Sequence, residues 1–240
     1  MWRSRVVVGL LAVVGLSLGS VGSAGARPAG LPPVVSHVPT SDKVVFITID
    51  DGWYHDPEVA RTLVEGRVPA SLFLLPGAFS YDAGYFTGLV DEGRVRVENH
   101  TVNHPDLTAL DAAGKDAELC GAEERVAAAF GRSPKLVRPP YGAYDDAVRL
   151  AAKACGAKAL VTWTYDFTTW GDTPPATPAL RSGDIVLLHF TPGLGADLRR
   201  ALDAARAAGL KPAALMPYLR SSGVLSSGAL PARASGALTS

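Results

Sequence analysis

Residues 44–52 read VVFITIDDG, a sequence that predicts a strand and ends in the first candidate site residues. The first six are apolar or β-branched, which is typical of a strand covered on both faces. Because neighbouring side chains of a strand face opposite ways, Asp50 and Asp51 can share a site only if the strand ends there. Gly52 is suited to turn the chain at that point. A helix-capping Asp-Asp-Gly turn is the simpler alternative for this motif taken alone.

Further apolar runs alternate with helical patterns along the chain. We expect strands near residues 70–75, 95–97, 135–137, 159–162 and 185–188, and a weaker one near 212–215. Helical patterns cover about 56–66, 82–92, 109–130, 144–155 and 195–208. This alternation predicts an α/β fold with a mainly parallel sheet or barrel of about seven strands.

Side chains that bind metals or transfer protons follow several of these strands. The segments concerned are His100-Thr101-Val102-Asn103-His104, Arg138-Pro139-Pro140-Tyr141 and Leu187-Leu188-His189. Loops at the carboxyl ends of parallel strands converge, so these segments should meet the two aspartates. Two imidazoles and one carboxylate match the three protein ligands of an open zinc site. Because Pro105 disfavours helix at the preceding residue, we expect a single turn or a bent loop there.

The other histidines suggest no site. We assign His37 to a linker. We assign His55 to an exposed position just before a helix that begins at Asp56-Pro57.

Together the motifs resemble those of the polysaccharide deacetylases of the NodB homology family, carbohydrate esterase family 4. The resemblance spans about residues 43–220 and implies a distorted (β/α) barrel of about seven mainly parallel strands. The T-F-D-D-G motif implies that Asp50 is the general base and Asp51 a metal ligand. The H-[ST]-x-x-H motif implies that His100 and His104 complete the ligands of a divalent metal. Zinc is the expected ion, with cobalt or another divalent ion as alternatives.

The remaining motifs imply the other roles. In R-x-P-Y, Arg138 orients the base, and the backbone N–H of Tyr141 helps to bind the oxyanion. In L-x-H, Leu187 lines the acetyl pocket and His189 is the general acid. Trp170 would line the same pocket, with simple core packing as the alternative for both apolar residues.

Two positions depart from the family pattern. Trp53 follows Gly52 where many relatives have proline. Thr169 replaces the second aspartate of the D-x-x-D-W motif, which pairs with the acid histidine in relatives. Because a neighbouring carboxylate stabilises a charged histidine and so raises its pKa, His189 is tuned differently here unless Asp166 or Asp172 substitutes for the missing aspartate.

The resemblance implies a metal-dependent hydrolase that removes N-acetyl groups from a peptidoglycan-like or chitin-like glycan, with metal-bound water as the nucleophile. The partner is then an N-acetylated polysaccharide or oligosaccharide, and we expect a monomer. One alternative is an O-acetyl esterase acting on xylan-like polysaccharide. The other is a catalytically impaired, metal-holding module that binds glycans.

The first residues are typical of a secretory signal peptide. Arg3 and Arg5 precede an apolar run over residues 6–18, and Ala24-Gly25-Ala26 supplies a cleavage pattern. The run is short for a membrane span, although an uncleaved anchor is the alternative. Cleavage would remove two of the 23 basic side chains and none of the 23 acidic ones, leaving a net charge of 21 minus 23, or −2. Such a chain lacks the basic footprint of nucleic-acid binding, and we expect no stable membrane insertion after cleavage.

We therefore expect four segments: a signal peptide over 1–26, a linker over 27–42, one deacetylase domain over 43–220 and a disordered tail over 221–240. The expected location is outside the cell, on the cell-wall side of the membrane. Two cysteines in a secreted chain favour a disulfide between Cys120 and Cys155. They lie on consecutive predicted helices, and two free buried thiols are the alternative.

Overall fold

A computed structural model describes residues 30–225, which form a curled parallel sheet covered by helices. The strands are β1 (Val34–Val35), β2 (Val44–Asp51), β3 (Ala70–Leu74), β4 (Val95–Asn99), β5 (Leu136–Val137), β6 (Ala159–Val161), β7 (Tyr165–Asp166), β8 (Ile185–His189) and β9 (Lys211–Pro212). Their order is β1-β6-β5-β4-β3-β2-β8-β7, with β9 pairing β2, and every ladder is parallel. The predicted distorted barrel is confirmed, with β1 and β7 as strands that the sequence patterns did not indicate.

Helices connect most of the strands and cover the outside of the sheet. They are α1 (Pro57–Val64), α2 (Pro76–Tyr81), α3 (Ala83–Glu92), α4 (Ala112–Phe130), α5 (Asp146–Ala154), α6 (Leu194–Ala207) and α7 (Leu215–Ser221). The predicted start of the first helix is confirmed, since Asp56 caps α1 by accepting a hydrogen bond from the Glu58 N–H, and Pro57 begins the helix.

Strand β2 shows how the sheet separates two apolar layers. Ile47 and Ile49 face outward into a core shared with α1, α3 and α6. Phe46 faces the other way, into a core that includes Val35 and the α7 residue Leu219. Asp50 continues the face of Phe46, which places its side chain inside the mouth of the barrel.

The linker expected over residues 27–42 is wrong for its described part, from residue 30 onward. β1 pairs with β6, and Val35 and Val38 are buried in the domain. His37 Nε2 donates a hydrogen bond to the Ser182 carbonyl oxygen, just before β8, over 2.9 Å. The short strand was missed because prolines break any periodic pattern there.

Two expectations near the other end also need correction. The strand predicted near 212–215 is shorter and earlier, since β9 covers only Lys211–Pro212. Helix α7 begins at Leu215, because the apolar side chains of this helix pack into the inner core. The domain also continues past residue 220, since Val224 is buried. The predicted signal peptide and the tail beyond residue 225 lie outside the described residues. Across residues 30–225, no helix is long and apolar enough to span a membrane.

Cys120 on α4 and Cys155 at the end of α5 form a disulfide, with their Cα atoms 4.8 Å apart. The two helices pack side by side on the outer surface of the barrel. The disulfide therefore links α4, which follows the His100–His104 segment, to α5, which follows the Arg138–Tyr141 segment.

Candidate active site

The end of β2 is bent so that both aspartates face the same site. Asp51 adopts φ 75° and Gly52 φ 104°, both in the left-handed region. This interrupts the alternation that would otherwise send the Asp51 side chain outward. A β-carbon at Gly52 would lie only 3.1–3.2 Å from side-chain atoms of Leu74, Ala78 and Phe86, so the turn has room only for glycine.

Asp51, His100 and His104 are brought together at the barrel mouth. Each offers one ligand atom, and these atoms lie within 4.8 Å of one another. Asp51 Oδ1 is 3.4 Å from His100 Nε2 and 3.7 Å from His104 Nε2. The segment between the histidines is a bent loop, with Thr101 and His104 at positive φ.

The hydrogen bonds of His100 fit a metal ligand. Its Nδ1 lies 2.7 Å from the Arg138 carbonyl oxygen, which requires a proton on Nδ1. Its Nε2 is buried without a hydrogen-bond partner and points at Asp51. A carbonyl that fixes the tautomer and leaves the other nitrogen unpaired is the usual support of a metal-binding histidine. One carboxylate and two imidazoles therefore fit a divalent cation such as zinc.

The electrostatics of these residues also suit a cation. Burial by itself raises the pKa of Asp51, but the imidazole of His100, 3.4 Å away, outweighs it and holds that pKa below its ordinary value. Burial lowers the pKa of His100, but the charges of Asp50 and Asp51 outweigh it and raise that pKa. Burial and the charge of His100 lower the pKa of His104. The two carboxylates thus create a negative potential where the imidazole nitrogens meet.

Asp50 is held by a fully buried arginine. Arg138 Nη1 donates to Asp50 Oδ1 over 2.6 Å, and its other nitrogens donate to the Val161 and Thr162 carbonyl oxygens. Its guanidinium lies 4.3 Å from the centre of the Phe73 ring. Since Oδ1 is occupied, Asp50 presents Oδ2 to the site, 3.8 Å from His100 Nε2.

The histidine loop is fixed by two residues that the sequence motifs did not indicate. Glu118 on α4 accepts hydrogen bonds from the backbone N–H groups of Val102 and Asn103. Asn99 accepts from the Thr101 N–H and donates to a carbonyl of α4. Asn99 is recognisable only as a polar residue ending a buried strand, and Glu118 gives no sequence signal because it lies on an ordinary helix surface.

His189 is supported by a hydroxyl group. The register places it opposite Asp50, and its Nδ1 lies 2.8 Å from Thr168 Oγ1. Asp166, one of the two expected supports, instead accepts from the Thr168 N–H and from Trp170 Nε1. No hydrogen bond joins His189 to Asp166 or Asp172 in the described structure.

Thr169, which stands where the family has an aspartate, also binds a carboxylate. Its N–H and hydroxyl donate to the buried Asp197 of α6, over 2.7 and 2.6 Å. Arg200 bonds the same carboxylate and the Phe167 carbonyl oxygen. The loop that carries Thr168 and Trp170 is therefore anchored to α6, through residues with no motif signal.

The predicted pocket residues lie around this centre. The Tyr141 ring is exposed and packs 4.8 Å from the His104 ring, and its backbone has φ 59°. Trp170 is exposed and lies 4.6 Å from the His189 ring. Leu187 is buried on β8, two residues before His189.

His55 was expected to be an exposed residue, and this expectation is wrong. Its side chain is only 10% exposed and stacks on the Tyr85 ring. Its Nε2 lies 2.7 Å from the Gly52 carbonyl oxygen. The imidazole is drawn inward because it satisfies the carbonyl of the bent Asp51–Gly52 turn.

A parallel barrel whose mouth holds an Asp-His-His group able to take a cation, an arginine-held carboxylate and a further histidine defines a hydrolase-type site. The polysaccharide deacetylase family model matches residues 37–160. The chain belongs to this family, carbohydrate esterase family 4, and is thus a hydrolase that acts on carbon–nitrogen bonds other than peptide bonds.

Individual relatives agree with the family. An uncharacterized protein of Streptomyces coelicolor is 38% identical over 80% of each chain. A chitooligosaccharide deacetylase of a Bradyrhizobium species is 32% identical over 62% of this chain and 72% of its own length. A solved family 4 carbohydrate esterase of Bacillus anthracis superposes with a TM-score of 0.67 at 25% identity, over 78% of this chain and 87% of that one.

Proposed function

We propose that this protein removes N-acetyl groups from a peptidoglycan-like or chitin-like glycan with the help of a divalent cation, zinc above all. The observation that carries this proposal is that one barrel mouth contains three groups: the possible cation ligands Asp51, His100 and His104, the Asp50–Arg138 ion pair, and His189. A cation held by the first three residues would polarise the acetamide carbonyl and acidify a water molecule.

The protein groups supply proton transfer and positioning. Asp50 accepts a proton at Oδ2 from the attacking water, because Arg138 occupies Oδ1. The Tyr141 N–H donates to the developing oxyanion, and donors of this kind are worth about 3–4 kcal/mol each. His189 donates a proton to the departing amine as the C–N bond breaks, and Thr168 holds its ring in place. The products are acetate and a free amino sugar.

In this proposal Leu187 and Trp170 form the apolar walls beside the acetyl group. Leu187 lies two residues before His189 on β8, and the Trp170 ring packs against the His189 ring. We also propose that the chain is secreted as a monomer after removal of residues 1–26. The Cys120–Cys155 disulfide supports this location, because such bridges persist outside the reducing cytosol.

Acetate release from a panel of glycans tests the activity. The panel contains chitin oligomers, peptidoglycan fragments and O-acetylated xylan, each with and without a chelator. We expect release from an N-acetylated glycan that the chelator abolishes and zinc restores. Release only from xylan would assign an O-acetyl esterase, and unchanged release with chelator would exclude the cation.

A further inference from the structure

The turn that carries the Tyr141 N–H group has a backbone shape that needs support. Tyr141 has φ 59°, in the left-handed region that disfavours a side chain, and Gly142 follows with φ 68°. The Gly142 N–H donates to the Pro139 carbonyl oxygen over 3.1 Å, which is a bond within the turn itself. The Tyr141 ring touches the His104 ring but is 72% exposed, so it buries little surface. Strained backbone persists only where its surroundings hold it, so we looked for a support outside the turn.

The indole ring of Trp163 packs directly against this turn. A β-carbon at Gly142 would lie 3.0 Å from Cη2 and 3.4 Å from Cζ3 of Trp163, and the three atoms nearest to that position all belong to this one ring. The Gly142 backbone therefore rests on the indole, and a side chain at this position would have to push the ring or the turn aside. The place of the turn is thus set by the place of the ring.

Trp163 is itself fixed to the barrel on both sides. It lies just after β6, and the N–H group of Thr162 donates to the Val35 carbonyl oxygen over 2.9 Å. On the other side, the Thr164 N–H donates to the Ile185 carbonyl oxygen over 2.8 Å. A residue whose two neighbours are bonded to different strands has little freedom to move, so its ring is a firm support.

The same ring also lies beside the arginine that holds the base. The guanidinium carbon of Arg138 is 5.9 Å from the centre of the Trp163 ring, within the range of a cation–π contact. Arg138 in turn donates to Asp50 Oδ1. One partly buried aromatic side chain therefore contacts both the group that orients the candidate base and the turn that presents the candidate oxyanion donor.

We propose that Trp163 is a positioning residue, which sets where the Tyr141 N–H lies relative to the Asp50–Arg138 pair. This inference rests on the proposed function, since it takes the Tyr141 N–H as the oxyanion donor. Trp163 touches no reacting atom in this account. Its effect falls on the transition state, because full negative charge develops on the acetamide oxygen only there.

The test is a double-mutant cycle of Trp163→Phe and Gly142→Ala, with Tyr218→Leu as the control, whose ring packs on Phe46 of β2. We measure kcat, KM and metal content with an N-acetylglucosamine oligomer. Each single change in the cycle should lower kcat about tenfold to a hundredfold, because misplaced groups cost rates of this order. KM and metal content should stay at the wild-type values in these variants, and the control should match wild type in all three.

The two changes should not be additive. Phenylalanine lacks the outer ring atoms that a β-carbon at Gly142 would meet, so Gly142→Ala should cost at least threefold less in kcat when Trp163→Phe is already present. The strain of a left-handed alanine is the same in both backgrounds and cancels. Additive losses would overturn the contact. An unchanged kcat in Trp163→Phe, or an effect on KM or metal content alone, would overturn the positioning role.

A second measurement does not depend on activity. Amide hydrogen exchange at Gly142, whose N–H bonds the Pro139 carbonyl oxygen, should be at least threefold faster in Trp163→Phe than in wild type and unchanged in Tyr218→Leu. If wild type releases no acetate from any glycan, the proposed function fails on these substrates while this measurement still decides whether Trp163 supports the turn. Equal exchange in wild type and Trp163→Phe would overturn that support.

Discussion

Backbone strain is concentrated at the candidate metal ligands Asp51, His100 and His104 and at their neighbours. Of the five non-glycine residues at positive φ between residues 30 and 225, four belong to the site motifs: Asp51, Thr101, His104 and Tyr141. A left-handed residue costs about 1–2 kcal/mol, and such strain persists only where the surroundings hold it. Here the packing of Gly52 and the bond from the His104 N–H to Thr101 Oγ1 provide that support. The backbone, and not only the side chains, therefore shapes the site.

The two neighbouring aspartates should have separable effects. Asp50→Asn removes the proton acceptor, so we expect kcat to fall about 10²–10⁴-fold while the cation stays bound. Asp51→Asn removes a ligand, so the cation should be lost on dialysis together with activity. Metal content and kcat measured on both variants check this. Loss of metal from Asp50→Asn with retention in Asp51→Asn would reverse the two roles.

The Thr168 hydroxyl should support proton donation by His189 and should not affect cation binding. Thr168→Val keeps the shape of the buried side chain but removes its bond to His189 Nδ1. One hydrogen bond contributes about 0.5–1.5 kcal/mol, so we expect kcat to fall up to about tenfold with metal content unchanged. Thr62→Val is the matched control, because its hydroxyl bonds the Glu58 carbonyl oxygen on α1 and not the histidine. Equal kcat values for wild type and Thr168→Val would exclude the role.

The site motifs were predictable from sequence because each ends a strand with a clear apolar pattern. Residues that hold those motifs were not predictable. Thr168, Glu118 and His55 act through hydrogen bonds that depend on how distant elements pack. Nothing in their own neighbourhood distinguishes them from ordinary polar surface residues.

At the scale of elements, the longer apolar strands were the easiest to predict. β2, β3 and β8 span five or more residues each and are mostly apolar, and the sequence located them. β1 follows two prolines, and β7 consists of Tyr165 and Asp166, so neither has a recognisable apolar pattern, and pairing with neighbouring strands defines both.

Helix α4 should affect the site through its hold on the histidine loop. Glu118→Ala removes the acceptor of the Val102 and Asn103 N–H groups. Loss of such support typically weakens metal binding 10–100-fold, and we expect an effect of about tenfold. A competition titration with a zinc chelator measures it. Glu124→Ala, exposed on the same helix, is the control, and equal affinities for the two variants would contradict the prediction.

The disulfide between α4 and α5 should contribute stability and no chemistry. Replacing Cys120 and Cys155 by serine opens a loop of 35 residues. The chain-entropy model then predicts a loss of about 3–4 kcal/mol in the free energy of unfolding. Denaturant unfolding measures the loss, and metal content and kcat at low temperature should match wild type. A large fall in metal affinity of the folded variant would show that the bridge also shapes the histidine loop.

At the scale of the whole molecule, the domain includes residues 30–42, although their proline-rich composition is typical of a linker. The Pro32 carbonyl oxygen accepts two bonds from the Arg149 guanidinium. The Pro33 and Val35 carbonyl oxygens accept from the N–H groups at 160 and 162 of the neighbouring strand. Prolines leave carbonyl acceptors available while removing donors, so a proline-rich stretch can complete a sheet edge without a recognisable strand pattern.

This segment should therefore be required for stability. We compare a chain that begins at residue 30 with one that begins at residue 40. The shorter chain leaves buried donors of Arg149 and β6 without partners, and each such group costs about 1–3 kcal/mol. It also uncovers the inner core at Val35 and Val38. We expect the free energy of unfolding to fall by about 3 kcal/mol or more, which is a large part of the 5–15 kcal/mol of an ordinary domain. Equal denaturant midpoints for the two chains would show that residues 30–39 are a linker after all.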